Sequence, residues 1–255
     1  MVDATISRDT LIELRKLVKG SDSIELKLTL PQHAYRLAAK ALGFDPLACQ
    51  IRQVFFFDTP GLDLNAAGVV ARARRVQGRE HDSVVKLRPV VPAELPAEMR
   101  ASNDFVVEVD ALPGGYVCSA SMKGRLRTDA VLASVNGEQP LHKLFNKAQR
   151  AFFAEHAPEG IELDGLSVLG PIFVLKAKLQ PPELGRRLVA EMWLYPDGSR
   201  LVELSTKCLP GEGLDVAIAL RETLEGKGIP TDGDQQTKTK TALEFFANEL
   251  RQPPA

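Results

Sequence analysis

Charged residues spaced two apart recur along this chain of 255 residues, where they alternate with apolar residues. In the segment SIELKLTL, residues 23–30, Glu25 and Lys27 alternate with Leu26 and Leu28. Side chains two apart on a strand lie on the same face, so each such strand has one charged face. Carboxylates can bind a divalent cation, and arginine or lysine can bind oxyanions. The pattern therefore predicts a site for a polyanion and a metal.

The same arrangement returns on later strands of the predicted sheet. The further charged positions are Arg72 with Arg74, Lys86 with Arg88, Glu108 with Asp110, Lys176 with Lys178, Glu191 alone, and Glu203 with Lys207. A solvated sheet face would explain any one pair. Like charges next to each other on one face repel, however, unless an opposite charge lies between them. We therefore interpret the whole set as converging on one anionic guest.

A closed barrel is the architecture that brings these faces together. Strand patterns occur at SIELKLTL, QIRQVFFFD, GVVARARRV, DSVVKLRPV, NDFVVEVDA, PIFVLKAKL, RLVAEMWLY and SRLVELSTK. An open sheet of this size would leave exposed edges, which closure removes, and about eight strands can close around one small ligand. We predict an α+β fold in which a barrel has a charged lumen and an apolar outer surface. Amphipathic helices must then cover the outside.

The helical patterns fit this architecture. The sequence predicts an N-terminal helix over residues 8–19 and a helical insertion over about 112–170 that contains an amphipathic helix near 139–156. It also predicts two closing helices at about 214–227 and 238–251. No linker interrupts the chain, so we expect one domain over residues 1–255.

Composition and charge limit the classes of function. The formal net charge is −1, which does not imply a basic surface for nucleic acid. The chain begins without the features of a signal peptide, and no apolar run approaches the length of a membrane span. We therefore expect a cytoplasmic protein without a membrane partner. Oligomeric state does not follow from the sequence.

The chain resembles the CYTH, or triphosphate tunnel metalloenzyme, family. The segment QVFFFDTPGLDLNAAGVVARARR resembles the second and third strands of that family, and IELK resembles the end of its opening E-x-E-x-K motif. SVVKLRP, VVEVD and VELSTK follow in the expected order. The resemblance covers most of residues 23–245. It implies an eight-stranded antiparallel tunnel that binds a triphosphate together with Mg²⁺ or Mn²⁺.

The resemblance also implies roles for individual residues. The metal-side acids would be Glu25, Glu108, Asp110, Glu191 and Glu203. The substrate-binding residues would be Lys27, Arg72, Arg74, Lys86, Arg88, Lys176, Lys178 and Lys238, with Lys240 and Arg187 as weaker candidates. Glu25, Glu203 or Glu191 could place the attacking water, and the sequence does not choose between these catalytic candidates.

Two serines depart from the family pattern. Ser23 stands in place of the first glutamate of E-x-E-x-K, and Ser205 in place of the second acid of the last strand. Because cation affinity rises with ligand charge, the loss of two carboxylates weakens metal binding. The sequence therefore leaves turnover open. Trp193, which shares a face with Glu191, could enter the lumen and stack a base, or it could be structural.

The function that we predict is metal-dependent hydrolysis of inorganic triphosphate, or of an organic or nucleoside triphosphate. Arginine and lysine would bind the phosphate oxygens through charge-assisted hydrogen bonds. One alternative is a catalytically weak module that binds polyphosphate or a nucleotide. Another is an adenylate cyclase that forms cyclic AMP from ATP. RNA 5′-triphosphate ends are the nucleic-acid partners that the same tunnel could accept.

Overall fold

Nine β-strands form the body of the protein. The computed structural model describes residues 8–233, 235 and 238–251. The strands are β1 (Ser23–Thr29), β2 (Gln50–Asp58), β3 (Val69–Val76), β4 (His81–Leu87), β5 (Phe105–Leu112), β6 (Gly115–Leu126), β7 (Ser167–Leu179), β8 (Leu188–Leu194) and β9 (Arg200–Cys208). Each of the eight sequence patterns above corresponds to one of these strands, and β6 is the addition.

The strands close into a barrel in the order β1-β5-β6-β4-β3-β2-β7-β8-β9. Strands β1 and β5 pair in parallel, while the other neighbours pair antiparallel in the described part of the chain. The barrel is therefore confirmed, but the expectation of eight strands that are all antiparallel was wrong. Strand β6 lies within residues 112–170, which we had interpreted as a helical insertion. Its lumen face carries Ser119 and Ser121 before the charged residues Lys123 and Arg125, so the alternating pattern that reveals the other strands is weak along most of β6.

Eight α-helices accompany the barrel in the described residues. They are α1 (Arg8–Gly20), α2 (Tyr35–Leu42), α3 (Asp63–Ala66), α4 (Ala97–Arg100), α5 (Ala130–Val135), α6 (Lys147–His156), α7 (Gly213–Gly226) and α8 (Lys238–Arg251). The helices expected at the N-terminus and near the C-terminus are confirmed. The expected insertion helix divides into a short 3-10 turn and α6. No described helix has both the length and the apolar character needed to cross a bilayer.

Local sequence signals explain where helices begin and end. The side chain of Asn146 accepts a hydrogen bond from the backbone of Gln149, and the Gln149 side chain accepts one from the backbone of Asn146, so a capping box starts α6. Gly43 ends α2 in the left-handed conformation, with φ of 67°, which glycine adopts readily.

Apolar side chains on the outer face of the barrel pack under the helices. Phe57, Val85 and Val107 from the strands join Phe145 and Phe152 in one buried cluster. On the opposite side, Leu204 and Ala190 join Ala38 and Leu220 in a second cluster. The outer surface is thus apolar and covered by helices, as predicted, and burying these side chains is the main term that stabilises the barrel.

Helix α8 does not cover the outside of the barrel. Its residues Leu243 and Phe246 belong to a third cluster that includes lumen-facing side chains of the strands, among them Val54, Phe56 and Trp193. Because these side chains point inward, α8 packs against an apolar section of the lumen. The charged section of the lumen lies next to this apolar section. Lys238, the first residue of α8, lines the charged section.

Candidate active site in the charged lumen

The charged section of the lumen encloses a cavity of about 360 Å³. Ten basic and five acidic side chains of the described residues line it, an excess of five positive charges. They are Lys27, Arg52, Arg72, Arg74, Lys86, Arg88, Lys123, Lys176, Lys207, Lys238, Glu25, Glu108, Asp110, Glu191 and Glu203. A low-dielectric wall with one sign of charge in excess attracts ligands of the opposite sign.

Three carboxylates meet where β1 and β5 run side by side. The parallel register places Glu25 beside Asp110 and Ser23 beside Glu108. One carboxylate oxygen from each of Glu25, Glu108 and Asp110 lies within 4.8 Å of the others. Ser23 donates a hydrogen bond of 2.9 Å to Glu108, so the serine at the family's first acidic position supports a neighbouring acid.

Lysines neutralise this acidic cluster. Lys27 Nζ lies 2.8 Å from Asp110 Oδ1 and 3.3 Å from Glu25 Oε2. Lys86 Nζ lies 3.3 Å from Asp110 Oδ2, and Lys207 pairs with Glu108. Burial alone would raise the pKa of Asp110, but Lys86 and Lys27 lower it to about 2. Burial likewise opposes the charge of Lys27, yet Asp110 and Glu25 raise the pKa of its amine above the ordinary value.

The same three carboxylates suit a divalent cation. Mg²⁺ and Mn²⁺ take oxygen ligands, and a few carboxylates with waters suffice for Mg²⁺. Glu25, Glu108 and Asp110 supply oxygens at a mutual spacing that a single ion could bridge. A cation bound there would compete with Lys27, whose amine contacts two of the three acids.

Glu191 and Glu203 form a separate acidic pair on β8 and β9. They are direct neighbours across the ladder, and Lys238 donates a 2.7 Å hydrogen bond to each of them. Lys176 donates to the other oxygen of Glu191 at 2.9 Å. Burial would raise the pKa of Glu191, but Lys238 and Lys176 lower it well below its usual range. In this structure the two acids therefore hold α8 to the barrel wall through Lys238.

Trp193 enters the lumen, where the sequence allowed it to lie, but its ring packs against other residues of the protein. Its ring stacks on Phe56 at a centroid distance of 6.5 Å, and Lys238 Nζ lies 5.3 Å from the ring centre. The indole donates to Glu191 at 3.4 Å, and the side chain is buried. These contacts favour the structural interpretation of Trp193 over base stacking.

Arginines from β2 and β3 line the opposite wall. Arg74 makes a bidentate pair with Asp82, at 2.8 and 2.9 Å, across the β3–β4 ladder. Arg52 donates twice to Gln50 and lies 3.8 Å from Glu191. Arg72 Nε is buried without a hydrogen-bond partner among the residues that the structure describes. This wall has more donors than acceptors.

The pKa shifts of this wall run opposite to those of Lys27 and Lys238. Burial and the neighbouring Arg74 lower the pKa of Arg72 to about 9. Burial and Arg74 also lower the pKa of Arg52 to about 10. Burial lowers the pKa of Arg88 as well. An arginine in a protein stays charged near neutral pH, so these lowered pKa values show that burial disfavours all three charges and that the like charge of Arg74 adds to this for Arg72 and Arg52.

The structure brings together all but one of the residues predicted for the site. Lys178 is the exception, because it lies past the rim of the cavity on β7 and is exposed, although it shares a face with Lys176. The weaker candidates Lys240 and Arg187 are exposed and also lie outside the cavity lining. Ser205 is buried and is paired in register with Lys27 on β1 and Val189 on β8.

Sequence reasoning missed three basic residues of the cavity: Arg52, Lys123 and Lys207. Lys207 was visible as a same-face neighbour of Glu203 but was not assigned a role. Arg52 is a single charge on its strand face, where Val54 and Phe56 follow it. Lys123 forms a pair with Arg125 two positions later, but this pair lies in the range interpreted as a helical insertion, so no strand was assigned there. Strand alternation alone would have placed both Arg52 and Lys123 in the lumen.

Solved structures share this fold. A proposed adenylyl cyclase from Hippeastrum, HpAC1, described as having a dominant triphosphatase activity, matches with a TM-score of 0.65 and 20% identity over 88% of this chain and 96% of that chain. A proposed adenylate cyclase from Bacillus halodurans matches with a TM-score of 0.60 and 11% identity over 87% of this chain and 97% of that chain. No family model and no curated protein matches the sequence. The shared fold agrees with the resemblance to CYTH proteins that the sequence indicated.

Proposed function

We propose that the lumen binds a linear triphosphate group and that the protein hydrolyses its terminal phosphoanhydride bond. The observation that carries the proposal is the excess of five positive charges around a cavity of about 360 Å³. A triphosphate group, with several negative charges on a narrow chain, suits such a cavity in charge and shape. The likeness to HpAC1, whose description names a triphosphatase activity, supports the same class of substrate.

The arginine wall would bind the phosphate oxygens. Arg72 has an unpartnered buried Nε among the described residues, and Arg74 is held by Asp82 at a fixed orientation. Arginine donates in a planar fork that fits phosphate oxygens, so the two guanidinium groups can fix the position of the chain. A phosphate oxygen near Arg72 and Arg52 would also relieve the repulsion that lowers their pKa values.

The carboxylates would place the attacking water. Glu191 already accepts from Lys176, Lys238 and Trp193, so it has the least capacity to hold a water. We therefore assign that role to Glu25 or Glu203. Water adds to the terminal phosphorus, the bridging P–O bond breaks, and tripolyphosphate would yield pyrophosphate, orthophosphate and a proton.

Glu25, Glu108 and Asp110 would hold the divalent cation, for which we propose Mg²⁺ or Mn²⁺. When bound, the ion would neutralise phosphoryl oxygens in the transition state. Lys27 and Lys86, which neutralise Asp110 in this structure, would then be available to donate to the phosphate oxygens.

A substrate panel tests this proposal. The protein would be incubated with tripolyphosphate, thiamine triphosphate and ATP, each with Mg²⁺ or Mn²⁺, and phosphate release would be measured. We expect release of orthophosphate, and we expect the triple variant Arg72→Ala, Arg74→Ala, Lys86→Ala to bind tripolyphosphate at least about 100-fold more weakly, because it loses several charge-assisted hydrogen bonds. Cyclic AMP with pyrophosphate would instead identify a cyclase.

The matched control is Lys178→Ala, which removes a lysine from the same face of β7 outside the cavity. This variant should bind tripolyphosphate as the wild type does. Unchanged affinity in the folded triple variant would show that the anion does not bind in the lumen, and the proposal would fail.

A non-catalytic binding module is the second candidate, and one observation favours it. The acids Glu191 and Glu203 are tied to Lys238, and Lys27 contacts two of the three acids that suit a metal. If these ion pairs persist with ligand, the site would hold triphosphate without activating water. Saturable binding of tripolyphosphate without any product would establish this alternative.

A further inference from the structure

A second cleft lies on the outer face of the barrel, beside the turn between β3 and β4. It encloses about 670 Å³ and lies between the turn, the start of β2 and the middle of β7. The antiparallel register aligns Arg75, Gln53 and Phe173 in one row across β3, β2 and β7. Because side chains alternate along β3, Arg75 points outward while Arg74 points into the lumen. We call this region the hairpin cleft.

The hairpin cleft combines exposed apolar surface with uncompensated positive charge. Ile51 and Phe173 are 43% and 44% exposed, although most of the outer face of the barrel is buried under helices. Arg75 and Arg79 line the same cleft, and no acidic residue is part of the described lining. An apolar floor with a few convergent polar groups is typical of sites for small molecules.

His81 supplies an independent indication of a ligand. It lines the cleft, is only 7% exposed, and accepts a hydrogen bond from the backbone N–H of Val76 through Nδ1 at 3.2 Å. The neutral ring therefore carries its proton on Nε2, which is a donor without a partner among the described residues. Arg75 Nε is a second buried donor without a partner there, while its Nη1 donates to Gln53. Buried donors that lack acceptors are unfavourable, so an acceptor at this place would be stabilising.

We propose that the hairpin cleft binds a small anion that carries a flat apolar ring. The anionic oxygens would accept from Arg75, Arg79 and the Nε2–H of His81, and the ring would pack on Phe173 and Ile51. Carboxylate and phosphate share the required chemistry, since each presents several oxygens to a guanidinium group. The site is separate from the lumen, so the proposal does not depend on the triphosphatase activity.

Titration of the full-length protein with phenyl phosphate and with benzoate tests this site. NMR would follow the Ile51 methyl groups and the His81 ring nitrogens, which report binding in the cleft. The Trp193 indole would report separately on binding in the lumen. We expect saturable shifts at Ile51 and at His81 Nε2 with at least one of the two probes. The two titrations also distinguish a phosphate ligand from a carboxylate ligand. Inorganic phosphate and phenol, each with half of the proposed features, should bind more weakly.

Two substitutions of exposed residues probe the contacts. Arg79→Ala and Phe173→Ser should each weaken binding of the better probe by about tenfold, since each removes one of the two kinds of contact. Arg125→Ala is the control, because Arg125 is exposed, pairs with Glu80 and lies outside the cleft lining. The proposal would be overturned if millimolar probe left Ile51 and His81 unshifted, or if Arg79→Ala bound as tightly as Arg125→Ala.

Discussion

The two walls of the lumen differ in the neighbours of their buried charged side chains. On one wall, which we call the paired wall, the acids Glu25, Glu108, Asp110, Glu191 and Glu203 contact Lys27, Lys86, Lys176, Lys207 and Lys238. On the other, the arginine wall, Arg52 and Arg72 lie close to a further cation, Arg74. Burial affects both walls, but the sign of the neighbouring charges differs.

The consequence appears in the pKa shifts. On the paired wall, carboxylates raise the pKa values of Lys238 and Lys27 against the effect of burial, although burial still lowers those of Lys86 and Lys176. On the arginine wall, burial and Arg74 act together and lower the pKa of Arg72. The paired wall is thus stabilised by its own ion pairs, whereas Arg72 on the arginine wall has no ion pair among the described residues and carries charge that a ligand could compensate. This contrast predicts that the first wall contributes stability and the second wall contributes binding.

Removing an acid from the paired wall should lower the free energy of unfolding more than any other change proposed here. Glu191→Ala would leave Lys176 and Lys238 with one carboxylate fewer and would remove the acceptor of the Trp193 indole. Removing one partner of a buried ion pair costs about 3–5 kcal/mol, because the remaining charge is uncompensated. We expect the free energy of unfolding, measured by urea denaturation, to fall by that amount.

Glu183→Ala is the matched control for this change. Glu183 pairs with Lys227 at 3.2 Å, but its carboxylate is exposed, and exposed pairs contribute little to stability. A Glu191→Ala protein as stable as Glu183→Ala would show that the paired wall does not stabilise the barrel.

The pH dependence of the unfolding free energy tests the stabilising role of the paired wall a second time, with a smaller expected change. The pKa of Asp110 is lowered from 3.8 to about 2, because Lys86 and Lys27 outweigh the effect of burial. A lowered pKa in the folded state contributes stability that is present above the unfolded value and is lost as the pH falls through the folded value. We expect this group to account for about 2 kcal/mol of the loss in unfolding free energy between pH 4 and pH 2.

Asp110→Asn provides the test, since its side chain does not titrate in this range. Glu25 and Glu191 also have lowered pKa values, so the variant should keep part of the acid-dependent loss. Urea denaturation curves at several pH values would measure the slope. Equal slopes for the variant and the wild type would contradict the assignment to Asp110.

Strand alternation was enough to predict the barrel and most of the lumen. Glu25 with Lys27 and Arg72 with Arg74 share strand faces, and a one-residue error in register would have moved them outward. Arg52 was harder to recognise, because β2 has no second charge two positions away on the same face. Strand β6 was missed because Ser119 and Ser121 occupy the middle of its inner face, and its charged pair, Lys123 with Arg125, comes only near its end.

Other features depend on tertiary packing that strand periodicity does not contain. The pattern of α8 predicts an amphipathic helix, but not that Leu243 and Phe246 would pack against the inward-facing Phe56. The parallel pairing of β1 and β5 juxtaposes Glu25 and Asp110, which are 85 positions apart, and neither strand alone indicates its partner. Lys178 satisfies the face rule yet lies past the rim, because position along the strand also decides which residues reach the cavity.

The smallest expected change in stability concerns the arginine wall. Arg72→Met replaces a crowded cation with an apolar side chain of similar length. Removing an uncompensated buried charge without a partner is neutral or stabilising, so we expect the free energy of unfolding to stay within about 0.5 kcal/mol or to rise by about 1 kcal/mol. The sign is opposite to that for Glu191→Ala, although both substitutions remove a charge from the same cavity.

Added tripolyphosphate should affect the Tm of the wild type and of Arg72→Met differently. A ligand stabilises the state that binds it in proportion to the logarithm of its concentration over Kd, so it should raise the Tm of the wild type more than that of Arg72→Met. Differential scanning fluorimetry with increasing tripolyphosphate measures both effects in one series. A large loss of stability in Arg72→Met without ligand would mean that the arginine wall has partners inside the protein. The division of the lumen into a stabilising wall and a binding wall would then be wrong.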